Sequence, residues 1–138
     1  MSIHVRPESI ARDVFIAQRL AFTHNKTIAG SWYRPDFFFS TSGIAVIAEC
    51  DEDGHRRYNP SDEIYREHKI ARCLADLGYD AIYILRFDPR VDHRTRYTRR
   101  SIRHLETVAN TIGSILKGEI PPHVTVDTRR RLFTKINM

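Results

Sequence analysis

The segment Ile-Ala-Val-Ile-Ala-Glu-Cys-Asp, residues 44–51, constrains this chain more than any other. Its apolar part is far shorter than the roughly 20 residues a membrane span needs, and it lacks the alternation of a strand with one wet face. A short apolar run of this kind predicts a strand buried on both faces, which must be covered by helices on both sides. The flanking sequence supplies them. Ile10, Val14, Ala17 and Ala21, widened by Phe15 and Phe22, predict a helix from about Pro7 to His24. Ser61, with Asp62 and Glu63 behind it, predicts the start of a second helix that stops at Gly78. Ile102, Leu105, Val108, Ala109, Ile112 and Ile115 predict a third over about Tyr97–Leu116.

Two further strands are expected, an aromatic one over Ser31–Ser40 despite Pro35 and another over Ala81–Phe87. A helix between two strands favours pairing 44–51 parallel to 81–87, while Thr41-Ser42-Gly43 suits a hairpin. The expected fold is therefore α/β, a mixed β-sheet flanked by helices in the order α-β-β-α-β-α, with residues 123–138 as a short strand and basic tail. The 138 residues show no repeat or linker and form a single domain. The N-terminus has no signal-peptide core. Together with the lack of a membrane span, this predicts a soluble intracellular protein of cytoplasm or nucleus, with no membrane partner. Cys50 and Cys73 are too few for a disulfide framework and read as core residues.

Charge narrows the function. Lysine and arginine number 22 against 17 acids, a net charge of +5, and 18 of the 22 are arginine. Arginine grips phosphate with a planar fork of donors. Seven arginines fall between 86 and 103, including Arg99, Arg100 and Arg103, and Arg129-Arg130-Arg131 form a second knot. Solvated helix faces carry such runs too, but clustered arginine in a basic domain favours a polyanion partner, most readily nucleic acid.

The acids converge as well. Glu49 and Asp51 are two apart on one strand and share a face. Asp36, near the end of the neighbouring strand, can come beside Glu49 in a short hairpin, in a register the sequence leaves open. Grouped carboxylates repel one another, and a hard divalent cation such as Mg²⁺ relieves that repulsion. Two milder readings stand beside this one: a polar loop after the strand, and an Asp36–Arg34 ion pair. His55, four residues past Asp51, lies where a loop could return it to the acids. Glu63 and Arg66 share a helix face. Arg86, on the strand beside 44–51, is expected to be buried and to need an anion, either carboxylate or phosphate.

In this order, Tyr33-Arg34-Pro35-Asp36, Ile47-Ala48-Glu49-Cys50-Asp51-Glu52, His55, Tyr58, Glu63, Arg66, Leu77-Gly78 and Leu85-Arg86-Phe87-Asp88-Pro89 resemble one family. It is the PD-(D/E)xK nuclease superfamily, in the branch related to very-short-patch-repair endonucleases. Small endonuclease-like domains of large DNA viruses carry a similar run. The resemblance spans residues 31–90 and leaves the basic helix and tail, 94–138, unmatched.

The resemblance implies a restriction-endonuclease-like core and Mg²⁺-dependent hydrolysis of DNA phosphodiester bonds, with Mn²⁺ able to substitute. Asp36 and Glu49 match the metal-binding acids, with the Cys50 backbone carbonyl as a further ligand. Asp51 stands where many relatives have lysine, which leaves the general base open. His55 is a candidate to activate water or protonate the leaving oxygen. Arg66 and Arg86 are candidates to steady the phosphate or orient the carboxylates. Glu67 and Lys69 compete with Glu63 and Arg66 for their roles, and Glu8 matches an acid some relatives place in the first helix. Mismatched, flapped and four-way DNA are all open as substrates, and cutting a junction on both strands would call for a homodimer. The alternative is a catalytically inactive nuclease-fold module that binds nucleic acid.

Overall fold

The computed structural model describes residues 7–50, 60–89, 99–122 and 132–138. Among them, five strands form one mixed sheet in the order β1-β2-β3-β4-β5, flanked by three helices. The elements are α1 (Pro7–Ala17), β1 (Thr23–His24), β2 (Phe37–Thr41), β3 (Ile44–Cys50), α2 (Pro60–Asp76), β4 (Ala81–Phe87), α3 (Arg99–Leu116) and β5 (Leu132–Asn137).

The segment 44–50 is the central strand and is buried on both faces, as its composition requires. Alternate residues feed two cores. Val46 and Ala48 join Phe37 and Phe39 of β2, Tyr83, Leu85 and Phe87 of β4, and the apolar sides of α1 and α3. Ala45 and Ile47 join Ile82, Ile84 and Phe133 against Ile70, Ala71, Leu74 and Ala75 of α2. Phe15 anchors the first core, its ring edge-to-face with Phe22, Phe37, Phe39 and Phe87.

The hairpin of β2 and β3 is antiparallel, from Phe37 opposite Ala48 to Thr41 opposite Ile44. Its turn residues Ser42 and Gly43 both have positive φ, 39° and 84°, as a two-residue hairpin connection demands. The Gly43 carbonyl accepts the N–H groups of Asp80 and Ala81, tying the hairpin tip to the start of β4. Strands β3 and β4 pair in parallel across α2, with Glu49 opposite Arg86.

The element order differs from the expected α-β-β-α-β-α at both ends, where the chain adds β1 and β5. The first helix stops at Ala17 rather than near His24. Arg19 takes a left-handed φ of 60°, and the Leu20 N–H donates to the Phe15 carbonyl at 3.1 Å, closing the helix without glycine. The turned chain then lays His24 beside Phe37 as part of β1. At the other end, residues 132–137 are the fifth strand, parallel to β4, with Phe133 and Thr134 buried. The aromatic strand also starts later than expected. Ser31 and Tyr33 are held in a turn by bonds to Ile28, and the ladder begins after Pro35, at Phe37.

Candidate functional site

The parallel strands β3, β4 and β5 finish on one edge of the sheet, where the N-terminal ends of β2 and α1 also arrive. Asp36 precedes β2 by one residue and is held from three sides. Its carbonyl accepts the Asn25 N–H at 2.9 Å, its N–H donates to Glu49 Oε2 at 3.4 Å, and its Oδ2 accepts the Cys50 N–H at 2.9 Å. The carboxylate is therefore fixed against the end of the central strand by main-chain groups.

Glu8 comes to the same place from the first turn of α1. His24 Nε2 and Asn25 Nδ2 each lie 2.9 Å from Glu8 Oε2, and the His24 ring stacks on Phe37 with centroids 4.6 Å apart. One oxygen of Glu8, one of Asp36 and the Cys50 sulfur all lie within 4.8 Å of one another.

Two acids this close cannot both ionise freely without a nearby cation. Burial pushes the Asp36 carboxyl up to about 6, and the charge of Glu8 adds to the rise against the opposing Cys50 N–H bond. Burial would raise Glu8 too, but hydrogen bonds with Asn25, His24 and Asp36 outweigh it and hold Glu8 below the usual carboxylate range. Of the two, Asp36 is the acid that takes up a proton first as pH falls, and above about 6 both are charged. Two carboxylates and a thiol, their ligand atoms within 4.8 Å of one another, could hold a divalent cation. The sulfur makes the set softer than the all-oxygen site Mg²⁺ prefers, and closer to what Mn²⁺ or Zn²⁺ accepts.

Glu49 is adjacent but outside this trio. It lies on the face covered by α2, where the Tyr33 hydroxyl donates to Oε1 and the Asp36 N–H to Oε2. Burial pushes its carboxyl up, and the positive charges of Arg66 and Arg86 partly offset that. Arg86 is 4% exposed. Its Nη2 lies 3.1 Å from Glu63 Oε1 and its Nε 3.4 Å from Glu67 Oε1, and Lys135 of β5 reaches the same Glu67 oxygen at 3.0 Å. Of the two anions open to Arg86, the structure supplies carboxylates. Glu67, itself 2% exposed, is the hub of that network. Arg66, one turn along α2 and exposed, sits over the Tyr33 ring at 5.6 Å, and Lys69 over the Trp32 ring at 5.2 Å.

The structure thus brings Asp36, Cys50 and Glu8 together, sets Glu49 beside them, and groups Glu63, Glu67 and Arg86 behind Glu49. From Cys50, the backbone carbonyl is the expected ligand, whereas the groups that meet Asp36 are its N–H and its sulfur. Arg99, Arg100 and Arg103 are exposed on α3, which packs on the sheet face opposite α2. Asp51, His55, Arg129, Arg130 and Arg131 lie outside the described residues. Sequence reasoning missed His24 and Asn25, which orient Glu8, and the role of Lys135. His24 was hidden at the end of the helix expected to reach it, Asn25 fell just beyond that end, and no spacing pairs Lys135 with a glutamate almost seventy residues earlier. No family model matches the chain, and no curated protein or solved structure matches it either.

Proposed function

We propose that this chain is a metal-dependent endonuclease that hydrolyses DNA phosphodiester bonds on a restriction-endonuclease-like core. The grouping of Glu8, Asp36 and Cys50 at the end of the central strand, in a chain of net charge +5, carries the reading. A divalent cation held by Glu8, Asp36 and the Cys50 sulfur would supply charge for the phosphate and an acidified water as nucleophile. The chain's own groups do the rest. The Asn25 and Cys50 main chain hold Asp36 in place, and His24 and Asn25 hold Glu8. Glu49, raised by burial and next to Asp36, is suited to take a proton from the attacking water. Arg66, exposed beside Glu49, is suited to meet the phosphate, and Arg86 orients the α2 acids. Arg99, Arg100 and Arg103 offer DNA a basic surface away from the site.

The test is cleavage of labelled duplex, mismatched, flapped and four-way DNA with Mg²⁺ or Mn²⁺. The expected result is metal-dependent cutting that Asp36→Ala abolishes. Equal cutting by Asp36→Ala would remove the assignment. A non-catalytic nucleic-acid module is the second reading, favoured by the hydrogen bonds that occupy both oxygens of Glu49. DNA binding without cutting of any substrate would select it.

A further inference from the structure

Trp32 is the chain's one tryptophan and is 55% exposed, although its two neighbours are fixed. The turn that carries it is tied by the Ile28 N–H to the Tyr33 carbonyl, the Ser31 N–H to the Ile28 carbonyl, and the Tyr33 N–H to Ser31 Oγ, at 2.9, 3.0 and 3.1 Å. The indole stands edge-to-face on the Tyr33 ring at 5.5 Å, and the Tyr33 hydroxyl donates to Glu49. Cations flank both rings, Lys69 at Trp32 and Arg66 at Tyr33, three residues apart on α2. A large aromatic surface is thus held in water on a rigid turn, between positive charges, one residue from a side chain that touches the acidic site.

We propose that Trp32 is a stacking platform for an unpaired nucleobase, and that the DNA handled at the Asp36 site has an unpaired nucleotide beside the point of action. A base within a continuous duplex has both faces covered by its neighbours, so only a flapped, overhanging or bulged nucleotide offers a face to the indole. Lys69 and Arg66 meet the phosphates of the strand that carries this base, and the strand runs from Trp32 over Tyr33 toward Glu49. Fixing the ring in advance lowers the ordering cost of that contact.

The inference rests on the nucleic-acid reading above, and its test does not need catalysis. Because no other indole is present, fluorescence of the metal-free full chain in EDTA, excited at a wavelength the six tyrosines do not absorb, reports on Trp32 alone. A single-stranded oligodeoxynucleotide is expected to quench it to saturation, while heparin binds without comparable quenching. Trp32→Ala should weaken single-strand binding, read by anisotropy of a labelled oligonucleotide, roughly 5- to 150-fold, the range of one base–aromatic stack. Trp32→Phe should retain most of that affinity, and circular dichroism of both variants should match the parent. Quenching by heparin equal to that by DNA, or single-strand affinity unchanged in Trp32→Ala, overturns the proposal. Cleavage of intact duplex undiminished in Trp32→Ala and preferred over flapped DNA by the parent overturns it too, while leaving the nuclease reading standing. Single-strand quenching in a protein that cuts no DNA supports the platform and removes the nuclease.

Discussion

Asp36 and Glu49 are joined main chain to side chain: the Asp36 N–H donates to Glu49 Oε2 at 3.4 Å, while Asp36 Oδ2 turns back to the N–H of the residue after Glu49. The hairpin register sets this relationship. With Phe37 opposite Ala48, the next step outward brings Asp36 to the level of Glu49. The two carboxylates nevertheless part, one to the trio with Glu8 and Cys50 and the other to Tyr33 and α2. A site divided in this way leads to distinct expectations for each acid.

Asp36→Asn removes the charge that Glu8 opposes while keeping an oxygen to accept the Cys50 N–H. The metal-free variant is expected to melt higher than the parent at pH 8, and to lose any Mn²⁺-induced rise in melting temperature. Thermal denaturation with and without Mn²⁺ checks both. A lower melting temperature with the Mn²⁺ effect intact would contradict the arrangement.

The pH dependence follows from the raised carboxyl of Asp36. A raised pKa in the folded state means that folding binds a proton. This group's contribution to stability is therefore full below its ordinary value of 3.8 and is lost as pH rises through about 6. Glu8 works the other way: its contribution is present above its ordinary 4.5 and is lost only as pH falls through its lowered value. A cation competes with the Asp36 proton, so stabilisation by Mn²⁺ should be small near pH 5 and grow to a plateau above about 7. Melting temperatures across that range, with and without Mn²⁺, provide the measurement, and a pH-independent Mn²⁺ effect would sink the account of a cation competing with the Asp36 proton.

Arg86 is a structural test of the α2 network. Arg86→Met leaves Glu67 buried with Lys135 as its one remaining cation among the described residues, and is expected to cost about 3–5 kcal/mol in urea denaturation. Arg86→Met combined with Glu67→Met should cost clearly less than the sum of the two single changes, because neither partner is then left as an uncompensated charge. Additive losses would show that the pair is not coupled.

Arg99 and Arg100 occupy the first turn of α3, where the helix dipole disfavours positive charge and the turn itself carries no acid. Their replacement by alanine should leave stability unchanged or raise it by about 0.3–1 kcal/mol. DNA binding should weaken at the same time, with the salt dependence of log K falling by up to ~0.9 for each phosphate that is no longer neutralised. An unchanged salt slope would take this end of α3 off the DNA. The arginines at 129–131 need the same substitution test, because truncating the chain there would also remove β5 from the sheet.

Much of the fold was legible because its signals are local. The apolar run 44–48 declares a strand covered on both faces, the stripe from Leu105 to Ile115 declares its helix, and Ser42-Gly43 declares a tight turn. Each depends on periodicity or on backbone freedom within a few residues. The end of α1 was not legible, since a helix stop at an arginine in left-handed conformation has no residue-type signature. Of β5 only a short strand somewhere in 123–138 was legible; that it joins the sheet parallel to β4 is a long-range pairing that no local pattern states.

The site divides along the same line. The sequence by itself allowed Asp36 to come beside Glu49 through a short hairpin, but the register that puts it there was set only by the folded sheet. The sequence did determine that Arg86 needs an anion, since a charge on an apolar strand must be compensated. Only the tertiary structure decided that Glu8, rather than Glu49, shares the cluster with Asp36, and that Cys50 contributes its sulfur. The same holds for Arg86, whose anions are Glu63 and Glu67. These choices depend on how α1, α2 and β5 are carried over the sheet edge. Contacts between residues distant in sequence are set by the packing of whole elements, and no local pattern encodes them.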